Sequence, residues 1–167
     1  MGRPWILLAS GRGIGAQFGG KLLRLVSESK LRNDPGLMQL GPDPLRREFD
    51  PEDAARRLLA AGGDREIGDV LLDQRVIAGI GNAIRNEALF QARIDPWRKI
   101  AELEPEEAAD LIEINRRIMQ ISVRKGRRPR SIYRAARRGC PNCGGRISVR
   151  GQGDANRTAY WCERCQS

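Results

Sequence analysis

Four cysteines carry the clearest chemistry in this chain. They stand as two close pairs, Cys140-Pro-Asn-Cys143 and Cys162-Glu-Arg-Cys165, with 18 residues between the pairs and no other cysteine in the sequence. Two Cys-x-x-Cys knuckles at this separation suit a tetrahedral Zn²⁺, which favours four thiolates in a closed structural site. Pro141 and Gly144-Gly145 allow the tight turn that a knuckle needs. Two disulfides are the rival reading, and they require an oxidising compartment. No stretch of the sequence resembles a secretory signal, which points to a cytoplasmic setting with reduced thiols. A redox Cys-x-x-Cys would need one pair in a strand–helix context rather than two. Four ligands leave no open position, so the expected cofactor is one structural zinc.

Histidine is absent from the 167 residues, which excludes a histidine metal site or a histidine general base within this chain. The net charge is +9 and is unevenly placed. Residues 116–150 hold 12 Lys or Arg and no Asp or Glu, leaving 18 basic against 21 acidic residues elsewhere. A cationic block that runs into a metal module reads as a surface for a polyanion, with a solvated basic face as the alternative. No apolar run reaches membrane-spanning length.

The elements that would position these groups follow from periodicity and punctuation. Trp5-Ile6-Leu7-Leu8, a Gly11-Arg12-Gly13 turn and the alternation of Ile14, Ala16 and Phe18 with Gly15 and Gln17 predict a hairpin. Two strands do not make a stable sheet alone. Residues 27–50 are rich in turn signals, Asn33-Asp34-Pro35-Gly36 and Gly41-Pro42-Asp43-Pro44, and read as a linker. Asp50-Pro51-Glu52-Asp53 opens a helix to about Ala61. Asp64 is expected to cap a second helix through about Gln74, with Ile67, Val70 and Leu71 on one face. Gly79-Ile80-Gly81 breaks the chain, and Asn82 is expected to cap a third helix. A longer helix spans roughly Pro105 to Lys125, with apolar positions at a 3.6-residue period, acids at its start and bases at its end. Ile147 and Val149, a polar turn up to Asn156, and Thr158, Tyr160 and Trp161 read as a β-hairpin between the two knuckles.

A glycine turn opening a helix exposes unpaired backbone N–H groups at the positive end of the helix dipole, a natural seat for phosphate. Gly79 and Gly81 would allow close approach of a ligand to the backbone. Asn82 could cap the helix, donate its amide to a phosphate oxygen, or both. A helix cap alone would also account for the Gly-Ile-Gly-Asn pattern.

Several stretches together resemble one family. Leu71-Leu72-Asp73-Gln74, Ala78-Gly79-Ile80-Gly81-Asn82 and Asn86-Glu87-Ala88-Leu89-Phe90 resemble the helix–two-turns–helix segment of the formamidopyrimidine-DNA glycosylase and endonuclease VIII family. The segment from Cys140 to Gln166, with Asn156-Arg157-Thr158, looks like that family's zinc finger. Leu40-Gly41-Pro42-Asp43-Pro44-Leu45 with Phe49-Asp50 is similar to its linker. Arg85 leans towards endonuclease VIII. The resemblance implies a mainly α fold with a small four-cysteine β-hairpin zinc finger, arranged as the end of a β-sandwich domain over 1–26, a linker over 27–50, a helix–two-turns–helix domain over 51–138 and a zinc finger over 139–167. It implies base-excision repair, with Gly79, Gly81, Asn82 and Arg157 gripping the phosphates of double-stranded DNA that contains a damaged base or an abasic site. It further implies a monomer of bacterial, cytoplasmic origin. Glu87 reads as an internal hydrogen-bonding residue rather than a catalytic acid. A non-enzymatic DNA-binding zinc-finger protein derived from the family is the alternative, and an RNA-binding zinc ribbon a third reading.

The chain departs from the family at its start. Members are similar in using the amine of an N-terminal proline, followed by glutamate, to attack the sugar C1′ and form a Schiff base. Here the sequence begins Met1-Gly2-Arg3-Pro4, so Pro4 carries a delocalised amide nitrogen that is not nucleophilic. The sequence therefore reads as the C-terminal two-thirds of such a protein, with no catalytic residue among its own. Borohydride trapping on abasic-site duplex is expected to yield no covalent adduct from this polypeptide. An adduct at the level of a family member would overturn that expectation and turn attention to Lys21 and the Gly2 amine.

Overall fold

The computed structural model of the chain describes residues 3–20, 23–136 and 138–166. Its contacts group into two units, residues 1–38 and residues 39–167. Gly2 and Lys21, the two amines singled out above, lie outside the described residues.

In the first unit, strands β1 (Ile6–Ser10) and β2 (Gly13–Gln17) pair antiparallel, with Ser10 opposite Gly13. The expected hairpin is present, and its turn is the two residues Gly11-Arg12. Leu7, Leu8, Ile14 and Phe18 are all exposed. The segment read as a linker contains two short helices, α1 (Glu28–Arg32) and α2 (Pro35–Met38). Ser27 Oγ accepts the Lys30 N–H at the start of α1, and Asp34 Oδ1 accepts the N–H groups of Gly36 and Leu37 at the start of α2. The Asn-Asp-Pro-Gly run is thus the end of one helix and the cap of the next, because Asp-Pro serves as an N-cap with proline at N1 as readily as it serves a turn.

The second unit is built around helices. Helix α3 (Pro51–Leu59) starts where its sequence signals place it, with Asp50 Oδ1 accepting from the N–H groups of Glu52 and Asp53. Helix α6 (Pro105–Lys125) also matches the periodic reading, ending at Gly126 with φ 62°. The helix expected from Asp64 to Gln74 is only one turn, α4 (Ile67–Val70), and Asp64 does not cap it. Ile67, Val70 and Leu71 are buried as their spacing suggests. The helix starts late because Ile67 N–H donates to Arg98 O and Gly68 N–H to Pro96 O, and it ends early because the N–H groups of Leu72 and Asp73 turn to the carbonyls three residues back, Asp69 and Val70. One core joins α3, α4, α6 and helix α5 (Asn82–Ala92) through Leu58, Ile67, Leu71, Leu89, Leu111 and Ile118. Among the described residues no helix is long and apolar enough to cross a membrane.

Strands β3 (Ser148–Gln152) and β4 (Arg157–Trp161) pair antiparallel, with Ser148 opposite Trp161 and Gln152 opposite Arg157. This hairpin packs on α5. A second small core lies beneath it, formed by Phe90, Ile132, Ala135, Cys140, Ile147 and Cys162. A mainly α fold carrying a small β-hairpin with a cysteine cluster is therefore what the chain adopts.

Glu87 holds the cationic loop that follows α6. Its side chain is fully buried, and its carboxylate accepts the N–H groups of Ser131 (2.8 Å), Ile132 (3.1 Å) and Tyr133 (2.9 Å). The internal hydrogen-bonding role expected of Glu87 is what the structure shows. Glu87→Gln keeps the shape but turns one acceptor oxygen into an amide facing a donor. It is expected to destabilise the fold by about 1.5–3 kcal/mol, the scale of a hydrogen bond to a charged group. Urea unfolding within about 0.5 kcal/mol of wild type would contradict that, being no more than an ordinary surface change.

Candidate nucleic-acid interface and metal centre

The residues before α5 are shaped by Gln74. Its Oε1 accepts the Gly79 N–H at 2.8 Å, while its Nε2 donates to the carbonyls of Leu72 (3.1 Å) and Ile80 (3.0 Å). Gly41 packs so closely under this loop that a side chain there would collide with the Val76 carbonyl. Gly79 has φ +85°, a left-handed conformation that favours glycine, and a Cβ would meet only the movable end of Met119, at Cε. Gly81 differs: its φ is −99°, and a Cβ would meet nothing within 4 Å. The space in front of Gly81 is open.

The N-cap of α5 is Gly81, and no side chain caps it. The expectation that Asn82 caps this helix is corrected. Asn82 is the first helical residue, and its side chain turns towards the hairpin instead. Its Nδ2 donates to Thr158 O at 3.0 Å, and its Oδ1 receives Asn86 Nδ2 at 3.3 Å. The side chain is occupied because it lies one turn below Asn86, on the face against which β4 packs. The consequence is chemical. The first-turn N–H groups of α5 keep no side-chain acceptor and point to the open space before Gly81, a set of donors at the positive end of the dipole.

Two clefts meet at this helix end. One is lined by Arg65, Asp69, Asp73, Gln74, Gly81, Asn82 and Arg157 among others. The other runs from Gly79 and Asn82 past Ser122 to Arg127, Arg128 and Tyr133. All four residues singled out from the sequence for phosphate contact, Gly79, Gly81, Asn82 and Arg157, border one cleft or the other. The charges in the first cleft are not equivalent. Arg65 is shared between Asp69 (3.3 Å) and Asp73 (3.2 Å), and Arg75 pairs with Asp73 at 2.9 Å. The Arg75 guanidinium, with Arg65 behind it, holds the Asp73 carboxyl down to about 2. Arg157 is exposed, stands first in β4 and enters no ion pair among the described residues. It is the arginine of that cleft whose charge is left for a ligand. On the other side Arg128 and Arg134 flank the Tyr133 ring, at 5.3 and 5.6 Å from its centroid.

The four cysteine sulfurs lie within 4.8 Å of one another. Cys140 and Cys165 Sγ are 3.8 Å apart, and Cys143 and Cys162 Sγ 3.6 Å. Sulfurs tetrahedrally arranged about a zinc at about 2.3 Å would stand about 3.8 Å apart, so the cluster has the size of that ion's shell and the separations are too long for disulfides. The Gly145 N–H directed at Cys143 holds that thiol down to about 7, while hydrogen bonding to Cys143 pushes Cys165 up to about 12. Four thiols this close cannot all lose their protons against one another, and a divalent cation removes the conflict.

The sequence matches the Formamidopyrimidine-DNA glycosylase H2TH domain over residues 40–133. The chain belongs to this family. The probable endonuclease 8 2 of Streptomyces coelicolor is 38% identical over 138 residues, covering 77% of this chain and 50% of that protein. The formamidopyrimidine-DNA glycosylase of Symbiobacterium thermophilum is 37% identical over 149 residues, covering 79% of this chain and 48% of its own length. The chain thus spans about half the length of these curated relatives. Among solved structures, the MutM (Fpg) protein from Thermus thermophilus superposes with a TM-score of 0.80 at 29% identity, covering 96% of this chain and 67% of the other. A complex between the Lactococcus lactis Fpg and an abasic site containing DNA shares the fold, with a TM-score of 0.73 at 23% identity over 85% of this chain and 57% of that one.

Three residues that matter to the site in this chain were not read from the sequence as such. Gln74 shapes the glycine loop. Gln152 and Arg85 join the hairpin to α5. Polar residues inside a helical or strand pattern read as solvent-facing, and only their burial shows otherwise.

Proposed function

We propose that this chain binds double-stranded DNA containing a damaged base or an abasic site, as a monomer, in the service of base-excision repair. The observation that carries this reading is the pairing of an uncapped, open helix N-terminus at Gly81-Asn82 with the unpaired Arg157 at one cleft. A phosphate there can accept from the first-turn N–H groups of α5 while Arg157 supplies the charge. Such contacts position a duplex without reading its sequence. The relatives named above are an endonuclease 8 and DNA glycosylases, and a solved structure of the same fold holds DNA with an abasic site. No residue of this chain is assigned a catalytic role. The base-removal and strand-cleaving steps implied by the family are proposed for the repair reaction that this binding serves.

One zinc held by Cys140, Cys143, Cys162 and Cys165 completes the proposal. Bound there, it supplies structural closure at the base of the β3–β4 hairpin. Elemental analysis of the purified protein is expected to return one zinc per chain, and chelation to unfold the hairpin, because folding and metal binding of so small a module are coupled. Protein without zinc whose cysteines are disulfide-bonded by mass spectrometry would overturn this.

The DNA site has its own test. Each phosphate neutralised by a cation adds about −0.9 to the slope of log K against log salt. Arg157→Ala is expected to weaken binding to all duplexes alike and to make that slope shallower by roughly one. Asn82→Ala removes no charge; it takes away the one amide N–H that Thr158 leaves free for a phosphate, and is expected to weaken binding by about 0.5–1.5 kcal/mol with little change of slope. Both variants binding like wild type across salt concentrations, while folded, would refute the site.

A further inference from the structure

Arg85 is fully buried, yet it pairs with no carboxylate among the described residues. Burial lowers its guanidinium to about 10, which leaves it charged at neutral pH. Its Nη donors go to neutral oxygens on three separate segments, while its buried Nε has no partner among the described residues. Nη1 donates to Gly68 O at 3.1 Å and to Gln152 Oε1 at 3.0 Å. Nη2 donates to Thr158 O at 3.0 Å and lies 3.5 Å from Arg157 O. Gln152 is itself fixed, its Nε2 donating to Pro96 O at 2.7 Å and Glu66 Oε2 at 2.8 Å.

We propose that Arg85 is a positioning residue for DNA binding, whose fork fixes β4 at Arg157 and Thr158 and so sets where the Arg157 charge stands against the open end of α5. The proposal rests on the reading of Arg157 as a phosphate contact. Its support is the register. Gln152 and Arg157 face each other on the last rung of the hairpin, so Arg85 grips both strands at one place, through a side chain on β3 and through backbone on β4. The cysteines lie at the opposite end, beyond the Ser148–Trp161 rung. At about 3.3 Å per residue, the four steps between these rungs span roughly 13 Å. A metal at one end of a two-stranded ribbon does not fix the other end. Asn82 and Asn86 also reach Thr158 O, at 3.0 and 3.4 Å, but neither reaches β3. A lysine could not replace Arg85, because one ammonium lacks the planar fork that serves several oxygens at once.

Arg85 is buried and cannot touch DNA, so an effect of its removal on the salt slope would have to pass through another residue. The test uses the full chain with zinc bound. Arg85→Met is expected to retain zinc and to speed amide exchange over residues 150–158 by about tenfold or more, the equivalent of one hydrogen bond to a charged group. It is expected to make the salt slope for abasic-site duplex shallower by roughly one. In an Arg157→Ala background the same change should lower neither affinity nor slope further, and Arg85→Lys should not restore the slope. Unchanged exchange in folded Arg85→Met, or weakening that adds in full to that of Arg157→Ala, would overturn the proposal. If Arg85→Met fails to fold, Gln152→Met removes one partner of the fork and leaves the guanidinium in place. The same pattern is then expected, and unchanged exchange is equally fatal. Arg157→Ala with an unaltered slope would refute the phosphate contact alone, since exchange still decides the grip of Arg85.

Discussion

A donor or acceptor taken out of water costs free energy unless it finds a partner inside the protein, and in this fold that cost acts most strongly on helix α5. Three successive residues of that helix, Arg85, Asn86 and Glu87, are buried and polar. Some partners are close by, Asn82 for the Asn86 amide and Gly68 O for Arg85, but most come from the chain that follows, and this requirement fixes where those later segments lie. Glu87 takes three consecutive N–H groups of the loop after α6. Asn86 takes the Tyr160 N–H at 2.6 Å. Arg85 donates to the Gln152 side chain on β3 and to a backbone carbonyl on β4, on either side of the hairpin turn. A helix surrounded in this way has no solvent-facing stripe, so its polar residues bind specific segments instead of water.

This arrangement separates two jobs along one helix. The middle of α5 fastens the cationic loop and the hairpin. Its N-terminus stays free of side-chain caps and faces open space. The two are linked through Asn82, which at most helix starts of this composition would satisfy its own first turn. Here it donates to Thr158 instead, and the first-turn N–H groups remain available. The glycines divide similarly. Gly79 is favoured by its backbone conformation, whereas neither conformation nor packing dictates Gly81. An opening preserved where a side chain would fit is what close approach of a ligand backbone calls for.

Much of this was legible in the sequence wherever one local signal decides the outcome. The clustering of the four cysteines follows from spacing, α6 from its period and its charges, α3 from Asp50-Pro51, and the first hairpin from alternation around Gly11-Arg12. The sequence was misleading where two local signals are equivalent. Asn33-Asp34-Pro35-Gly36 fits both a turn and a helix boundary, and the neighbouring caps at Ser27 and Asp34 decide for helices. Ile67, Val70 and Leu71 indicated the buried face correctly, but where α4 starts depends on carbonyls at Pro96 and Arg98, more than 25 residues away. The roles of Asn82, Arg85 and Gln152 are of the same kind. Each is set by a partner some 70 residues distant, and no periodicity carries that information.

The distribution of charge around the cleft follows from the same accounting of partners. A basic chain does not by itself make a basic site, since arginines paired with carboxylates present little net field to an incoming anion. Arg65 and Arg75 are held by Asp69 and Asp73, and Arg150 lies over the Trp97 ring with 3.5 Å to its centroid. Those cations shape the protein more than they attract a ligand. Among the described residues, Arg157 at the cleft and the exposed Arg127 and Arg128 across the helix end remain uncommitted to carboxylates. The usable positive charge therefore lies on the two segments that α5 fastens, one on each side of its own positive end. A polyanion crossing that helix terminus would meet backbone dipoles in the centre and full charges at both flanks, and the spacing of those flanks is set by the buried contacts of Arg85 and Glu87.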